Sequence, residues 1–295
     1  MPRKQAKKAS PKIQGKPLIG FIGQGFIGKN YADDFERRGF EVIRYAMEEP
    51  YRANKEKIQN CDIVFIAVPT PTTPKGFDYS IIESVLPLIG KGKTAVIKST
   101  ILPGTTEQLQ KEHPEIFVLN SPEFLRAKHA AYDSAHPDRN IVGIPIDNST
   151  YRTKARHLLE VLSHAPYEVV MLSREAELVK YGGNCFFYFK LIFMNLLYDL
   201  AVKGEVDFKV VRDAMAADPR IGPSHMNPID DGGRGAGGLC FIKDFAAFSL
   251  IYQKLVKDPL GQKVLVALAE KNNDLLAKSG KDRDLLDGVY GKKKI

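Results

Sequence analysis

The stretch "PLIGFIGQGFIG", residues 17 to 28, constrains this chain more than any other. A short apolar strand, Leu18 to Ile22, runs into Gly23-Gln24-Gly25-Phe26-Ile27-Gly28 and then into a helical pattern that reaches Arg38. Glycines placed this way between a strand and a helix have separate tasks. Gly23 makes the tight turn, Gly25 lets backbone approach a pyrophosphate, and Gly28 lets the helix pack on the strand. The helix N-terminus, at Phe26 and Ile27, offers N–H groups and the positive end of the helix dipole to phosphate oxygens. A purely structural glycine turn is the alternative reading of the same residues.

Further strand-like runs follow at "FEVIRY", "DIVFIAVP", "TAVIKST", "IFVLN", "NIVGI" and "YEVVML", with helical patterns in several of the intervals. Such alternation predicts an α/β fold, a Rossmann-type doubly wound parallel sheet spanning residues 18–173. Ligands of such sheets sit at the carboxyl ends of the strands, where Val68, Pro69 and Thr70, Ser99 and Thr100, and Ser121 to Glu123 fall. From Glu175 to about Lys203 the pattern becomes one long proline-free helix, opening a helical domain over 174–288. Lys180 and Asn184 are four residues apart and share a face of it. An exposed polar pair on a core helix is the plainer account of those two.

The net charge of +8 invites a nucleic-acid reading, but six Lys/Arg within the first 16 residues and three at Lys292 to Lys294 account for it. The body is near neutral, so the basicity is assigned to disordered tails, 1–17 and 289–295, rather than to a nucleic-acid surface. The cysteines, Cys61, Cys185 and Cys240, are odd in number and form no C-x-x-C pair, which argues against a disulfide framework and a zinc site. No metal is expected. The apolar runs read as too short or too interrupted to span a membrane, and no signal-type segment follows the basic N-terminus, so the cytoplasm is the expected compartment.

In "GGLCFIKD", residues 237 to 244, a cysteine follows two glycines and precedes a lysine and an aspartate. With "GFIGQGFIG", "CDIVFIAVPTPTTPKGFD", "KSTILPGTT", "NSPEFLRA", "ELVKYGGNCFFYFKLIFMN" and "DPRIG", in that order, it resembles the UDP-glucose/GDP-mannose dehydrogenases. The resemblance covers most of residues 18 to 280. It implies a two-step, four-electron oxidation of a nucleotide sugar's primary alcohol to a carboxylate, of UDP-glucose to UDP-glucuronate in the first instance.

By that resemblance Cys240 is the nucleophile that carries a thiohemiacetal and then a thioester, Lys180 stabilises the oxyanions and Asn184 hydrogen-bonds beside it. Glu123 and Asp244 serve proton transfer and the hydrolytic water, and Thr100 holds a water. The cofactor is expected at Gly23, Gly25, Phe26, Ile27, Gly28, Glu48, Val68, Pro69, Thr70, Ser99, Thr100 and Lys243. The nucleotide sugar is expected at Glu123, Phe124, Leu125, Lys180, Asn184, Arg220, Gly235, Gly237, Gly238 and Cys240. The long helix resembles the family's dimerisation helix, with Arg220 reaching across, so the helical domain is expected to form a homodimer.

The chain also departs from the pattern. No carboxylate ends the second strand at "IRYAME", where Arg44 would favour a 2′-phosphate and NADP while Glu48 would reach the ribose of NAD; NAD is expected and NADP stays open. Only about 14 residues separate that strand from "CDIVFIAVP", which trims one strand–helix unit. Ala236 and Leu239 replace an aromatic and a serine, and the chain is expected to lack the family's C-terminal nucleotide-binding domain. Two other readings stand beside the first: a one-hydride β-hydroxyacid-type dehydrogenase, against which Cys240 argues, and a non-catalytic dinucleotide-binding partner subunit.

Overall fold

The computed structural model describes residues 15–291, and the expected basic tails fall largely outside that range, at 1–14 and 292–295. The chain forms two compact units. The first comprises the residues up to Pro69 together with Ser80–Glu177, and the second Thr70–Tyr79 together with Leu178 onward. In chain order the elements are β1 (Ile19–Ile22), α1 (Phe26–Arg37), β2 (Val42–Tyr45), β3 (Ile63–Ile66), β4 (Thr72–Thr73), β5 (Gly76–Phe77), α2 (Ser80–Val85), β6 (Thr94–Ile97), α3 (Thr105–Glu112), β7 (Phe117–Asn120), α4 (Ala130–Ala135), β8 (Arg139–Ile144), α5 (Ser149–Val161), β9 (Tyr167–Leu172), α6 (Ser173–Lys203), α7 (Phe208–Ala216), β10 (Ile229–Asp230), β11 (Gly233–Arg234), α8 (Gly238–Leu255), α9 (Pro259–Ser279) and α10 (Arg283–Tyr290).

The first unit is built on a seven-stranded sheet of order β2-β1-β3-β6-β7-β8-β9. β1, β3 and β6 are buried at every position, so they carry continuous apolar runs rather than alternation, as strands covered on both faces do. Phe21 of β1 stacks on Phe65 of β3 at 4.8 Å, and Phe35 of α1 meets Phe21 edge-on at 5.6 Å. β2 is the edge strand, because the chain passes from it through a single 3₁₀ segment, Arg52–Asn60, to β3 on the far side of β1. This is the shortened connection that the sequence spacing predicts.

The expectation of a wholly parallel sheet is corrected at one place. The first five strands in the sheet order are mutually parallel and so are β8 and β9, but β8 runs antiparallel to β7, meeting it at Asn120 and Gly143. A parallel connection needs a crossover long enough to return along the sheet. Between β7 and β8 the longest helix is the six-residue α4, and it packs on α1, so the chain re-enters the sheet from the end at which it left.

The second unit is mostly helical. α6 presents Cys185, Tyr188 and Ile192, one helical stripe, to Phe245 of α8 and to Leu265 and Leu275 of α9. The Tyr188 and Phe245 rings stack nearly parallel at 3.9 Å. The β4–β5 hairpin belongs to this unit and packs against α8 and α10. α10 crosses residue 289, where the sequence reading begins its C-terminal tail.

At 31 residues, α6 is long and apolar enough to cross a membrane by length and composition alone, which overturns the expectation that no stretch reaches that measure. Only 39% of its most apolar window is buried within the protein. Lys180, Asn184, Lys190, Asn195 and Asp199 interrupt the run.

Candidate active site

The glycine loop separates into three physical cases. Gly23 has φ +91°, and a Cβ there would lie 2.3 Å from the Ala67 carbonyl oxygen; a Cβ on Gly28 would lie 1.9 Å from that of Gly23. Both glycines are therefore demanded by the turn and by the packing of α1. Gly25 is demanded by neither, since its φ is −73° and a Cβ would meet nothing within 4 Å. It caps α1 without a side chain, leaving open space before a helix N-terminus at the carboxyl end of β1. That space suits a pyrophosphate approaching backbone N–H groups, so the loop fits a dinucleotide. Phe26 is about half exposed at the first helical position and Ile27 turns into the core.

Arg44, weighed against Glu48 for cofactor choice, is committed within the first unit. Its guanidinium holds Asp33 at 2.7 Å and Glu36 at 2.9 Å and is mostly buried. Two carboxylates spend its charge, leaving little for a 2′-phosphate. Glu48 is exposed in the turn after β2.

At the carboxyl ends of β3 and β6, Ser99 Oγ donates to the Val68 carbonyl at 2.7 Å and accepts from the Val68 amide at 3.0 Å, fastening the two loops together. Pro69 closes the first segment of the first unit, and Thr70, buried, opens the first segment of the second. Thr100 is buried, as is Glu123, whose carboxylate accepts the Leu125 amide at 2.7 Å. Arg139 lies 3.9 Å over the Phe124 ring, and Leu125 packs against the core.

In the second unit the chemistry gathers on two helices. Asn184 Nδ2 on α6 donates to Asp244 Oδ2 on α8 at 2.6 Å, and Lys243 Nζ meets the other carboxylate oxygen at 2.5 Å. Lys180, one turn before Asn184, is buried, and Cys240, one turn before Asp244, is exposed in the first turn of α8. The plainer account of Lys180 and Asn184 as an exposed pair therefore fails. Cys240 is the only exposed thiol among the three. Burial pushes the Cys61 thiol up to about 12 and raises that of Cys185 as well, so both are held as inert thiols.

The glycines before α8 have neighbours of their own. A Cβ on Gly235 would lie 2.9 Å from Asn272 Oδ1, and one on Gly237 would lie 2.1 Å from Asp282 Oδ2. Gly238, at φ +81°, has nothing within 4 Å. Ala236 is buried, its amide donating to Asn272 Oδ1 at 2.7 Å, whereas Leu239 is exposed. Arg220 is exposed and paired with Asp218 at 2.6 Å. Its loop is pinned by Lys190, which donates to the carbonyls of Ile221 and Gly222.

Sequence reasoning missed Lys190, Asn272 and Asp282. An asparagine inside the apolar stretch of α9 was the one available signal, because a fully buried amide needs partners. Among the described residues no group of three His, Cys, Asp or Glu side chains is placed to hold a metal ion.

Residues 44–162 match the NAD binding domain of the UDP-glucose/GDP-mannose dehydrogenase family, and residues 174–274 match its central domain. A UDP-glucose 6-dehydrogenase of Rickettsia bellii is 31% identical over 229 residues, covering 74% of this chain and 51% of that protein. The chain spans about half the length of the curated relatives it matches. Among solved structures, a UDP-glucose dehydrogenase from Pyrobaculum islandicum superposes with a TM-score of 0.75 at 28% identity, covering 89% of this chain and 70% of that one. A 3-hydroxyisobutyrate dehydrogenase from Mycobacterium tuberculosis shares the fold, with a TM-score of 0.68 at 16% identity, over 93% of this chain and 98% of that one.

Proposed function

The chain belongs to the UDP-glucose/GDP-mannose dehydrogenase family, and from that premise we propose that it oxidises the primary alcohol of a nucleotide sugar to a carboxylate, with UDP-glucose as the first substrate to test. The observation that carries this reading is the pairing of Asn184 with Asp244, each one helical turn from a further reactive side chain, Lys180 and Cys240. A one-hydride oxidation has no use for an exposed thiol on the helix that this pairing ties to the one bearing a buried lysine. A two-hydride oxidation does, because its aldehyde stage must be retained.

The Gly23 to Gly28 loop and the α1 N-terminus would hold the pyrophosphate of NAD, with Glu48 at the ribose. When bound, NAD supplies the hydride acceptor, and two equivalents are consumed per alcohol. Cys240 adds through sulfur to the aldehyde carbon, forming a thiohemiacetal whose oxygen takes up a proton. Loss of that proton and of a hydride leaves a thioester, which water cleaves to the carboxylate and the thiol. Lys180, buried one turn from Asn184, stabilises the negative oxygen that develops when sulfur or water adds to the carbonyl. Asn184 and Lys243 hold the Asp244 carboxylate in one orientation, and Glu123 is held by the Leu125 amide. These are the carboxylates to which we assign proton transfer and positioning of water.

α6 also leaves Val179, Phe186, Phe193 and Leu200 exposed at seven-residue spacing, which favours a second copy of this chain as its partner. Arg220, exposed at a pinned loop, is then available to a substrate held by the partner. Cys240→Ser tests the mechanism. The variant should stall after the first hydride, because a serine ester forms and hydrolyses less readily than a thioester, and wild-type yields of carboxylate from it would remove Cys240 from the mechanism.

A further inference from the structure

The glycine run before α8 is held from within the second unit by a segment beyond the stretch that matches the family's central domain, which ends at residue 274. α9 closes at Gly280 (φ 73°), and the chain then turns back through Lys281 and Asp282. Ser279 Oγ accepts the Arg234 amide at 3.0 Å, and Lys281 Nζ donates to the Asp230 carbonyl at 2.8 Å. Asp282 Oδ2 accepts the amide of Gly238, the first residue of α8, at 2.7 Å. First-turn N–H groups have no acceptor within their own helix, so this carboxylate caps α8 from 44 residues away in sequence. Asp282 does so from a left-handed backbone, φ 52°, a region that few residues other than glycine, asparagine and aspartate adopt. The absence of a side chain at Gly237 admits the carboxylate, since a Cβ would sit 2.1 Å from Oδ2.

We propose that Asp282 is a positioning residue for Cys240: its carboxylate, seated against Gly237, fixes the first turn of α8 and with it the thiol three residues into that helix. The inference rests on the dehydrogenase reading for the role of the thiol, and on geometry alone for the clamp. Gly237 and Asp282 then form one unit, in which filling the glycine's space expels the carboxylate as surely as deleting it does.

The test is a double-mutant cycle on the full chain with Gly237→Ala, Asp282→Ala and the pair, with Asp282→Asn as the conservative variant. Two quantities are read: amide hydrogen exchange over residues 238 to 242, and the kcat and KM of nucleotide-sugar oxidation. Each single alanine variant should speed exchange at least about fivefold in that segment. Each should also lower kcat about tenfold, leaving the KM for NAD within about twofold. The pair should be no worse than the worse single variant, and Asp282→Asn, which keeps an acceptor, should lose less than Asp282→Ala. Additive effects, unchanged exchange, or a KM for NAD that rises as kcat falls would overturn the proposal. A wild-type chain without turnover would refute the dehydrogenase reading and the role given to Cys240, while non-additivity in exchange would still decide the clamp.

Discussion

Asn184 and Asp244 tie α6 to α8 through a 2.6 Å hydrogen bond at a carboxylate that is 1% exposed. Lys243 occupies its other oxygen, so Asn184→Ala removes one partner while the charge keeps its second. A hydrogen bond to a charged group contributes ~1.5–3 kcal/mol, and a stability loss of that size is expected. Turnover should fall by more than about tenfold, because the freed carboxylate rotates. Chemical denaturation and steady-state rates measure both, and a variant with full turnover would make the pair merely structural.

Glu177 predicts a pH dependence of stability. Its carboxylate accepts the amides of Gly104 and Thr106 and the Thr106 hydroxyl at the start of α3, yet burial pushes its pKa up to about 7. A raised folded-state pKa means that the stabilisation belongs to the protonated form. It is complete below the unfolded value near 4.5 and is lost as pH rises through about 7, on the order of 3 kcal/mol in all. Glu177→Gln cannot ionise, so the gap between its melting temperature and the wild type's should shift in the variant's favour from pH 5 to pH 8. Parallel curves would contradict this.

Cofactor choice follows from the ion pairs of Arg44. With Asp33 and Glu36 holding its guanidinium, NAD should bind more tightly than NADP, and Arg44→Ala should change NAD affinity by less than about threefold. Glu48→Ala should weaken NAD by about tenfold through loss of a charged hydrogen bond. Calorimetric titration in which NADP binds more tightly and loses that advantage in Arg44→Ala would reassign Arg44 to a 2′-phosphate.

The exposed stripe on α6 sets the expected assembly. A carboxylate at Phe186 or Phe193, both more than half exposed, would place a charge at the centre of a symmetric apolar contact. Phe186→Asp and Phe193→Asp should sediment as monomers with unchanged helix content, and the wild type as a dimer. A monomeric wild type would leave the stripe to some other partner.

What could be read from the sequence was local. The loop from Gly23 to Gly28, the apolar runs of β1, β3 and β6, and the four-residue spacings of Lys180 with Asn184 and Cys240 with Asp244 each lie within one or two turns of chain. Local pattern therefore carried the strands and the loop, whereas the roles of those four side chains rested on the resemblance. The reversal of β8 depended on where α4 packs, which no pattern within residues 121–138 encodes. The glycines were legible as glycines but not in their cause. Gly235 and Gly237 are small because Asn272 and Asp282 lie against them, partners more than thirty residues away that only the folded second unit brings close.

The central claim is a two-hydride oxidation retained on one thiol, and the stoichiometry of NADH measures it most directly. UDP-glucose, UDP-N-acetyl sugars and GDP-mannose are each incubated with the chain and excess NAD, and NADH is counted against sugar consumed. Two NADH per sugar, with carboxylate as the product and no aldehyde released, is the predicted result. One NADH per sugar with a released carbonyl product, or no NADH with any of them, would contradict it.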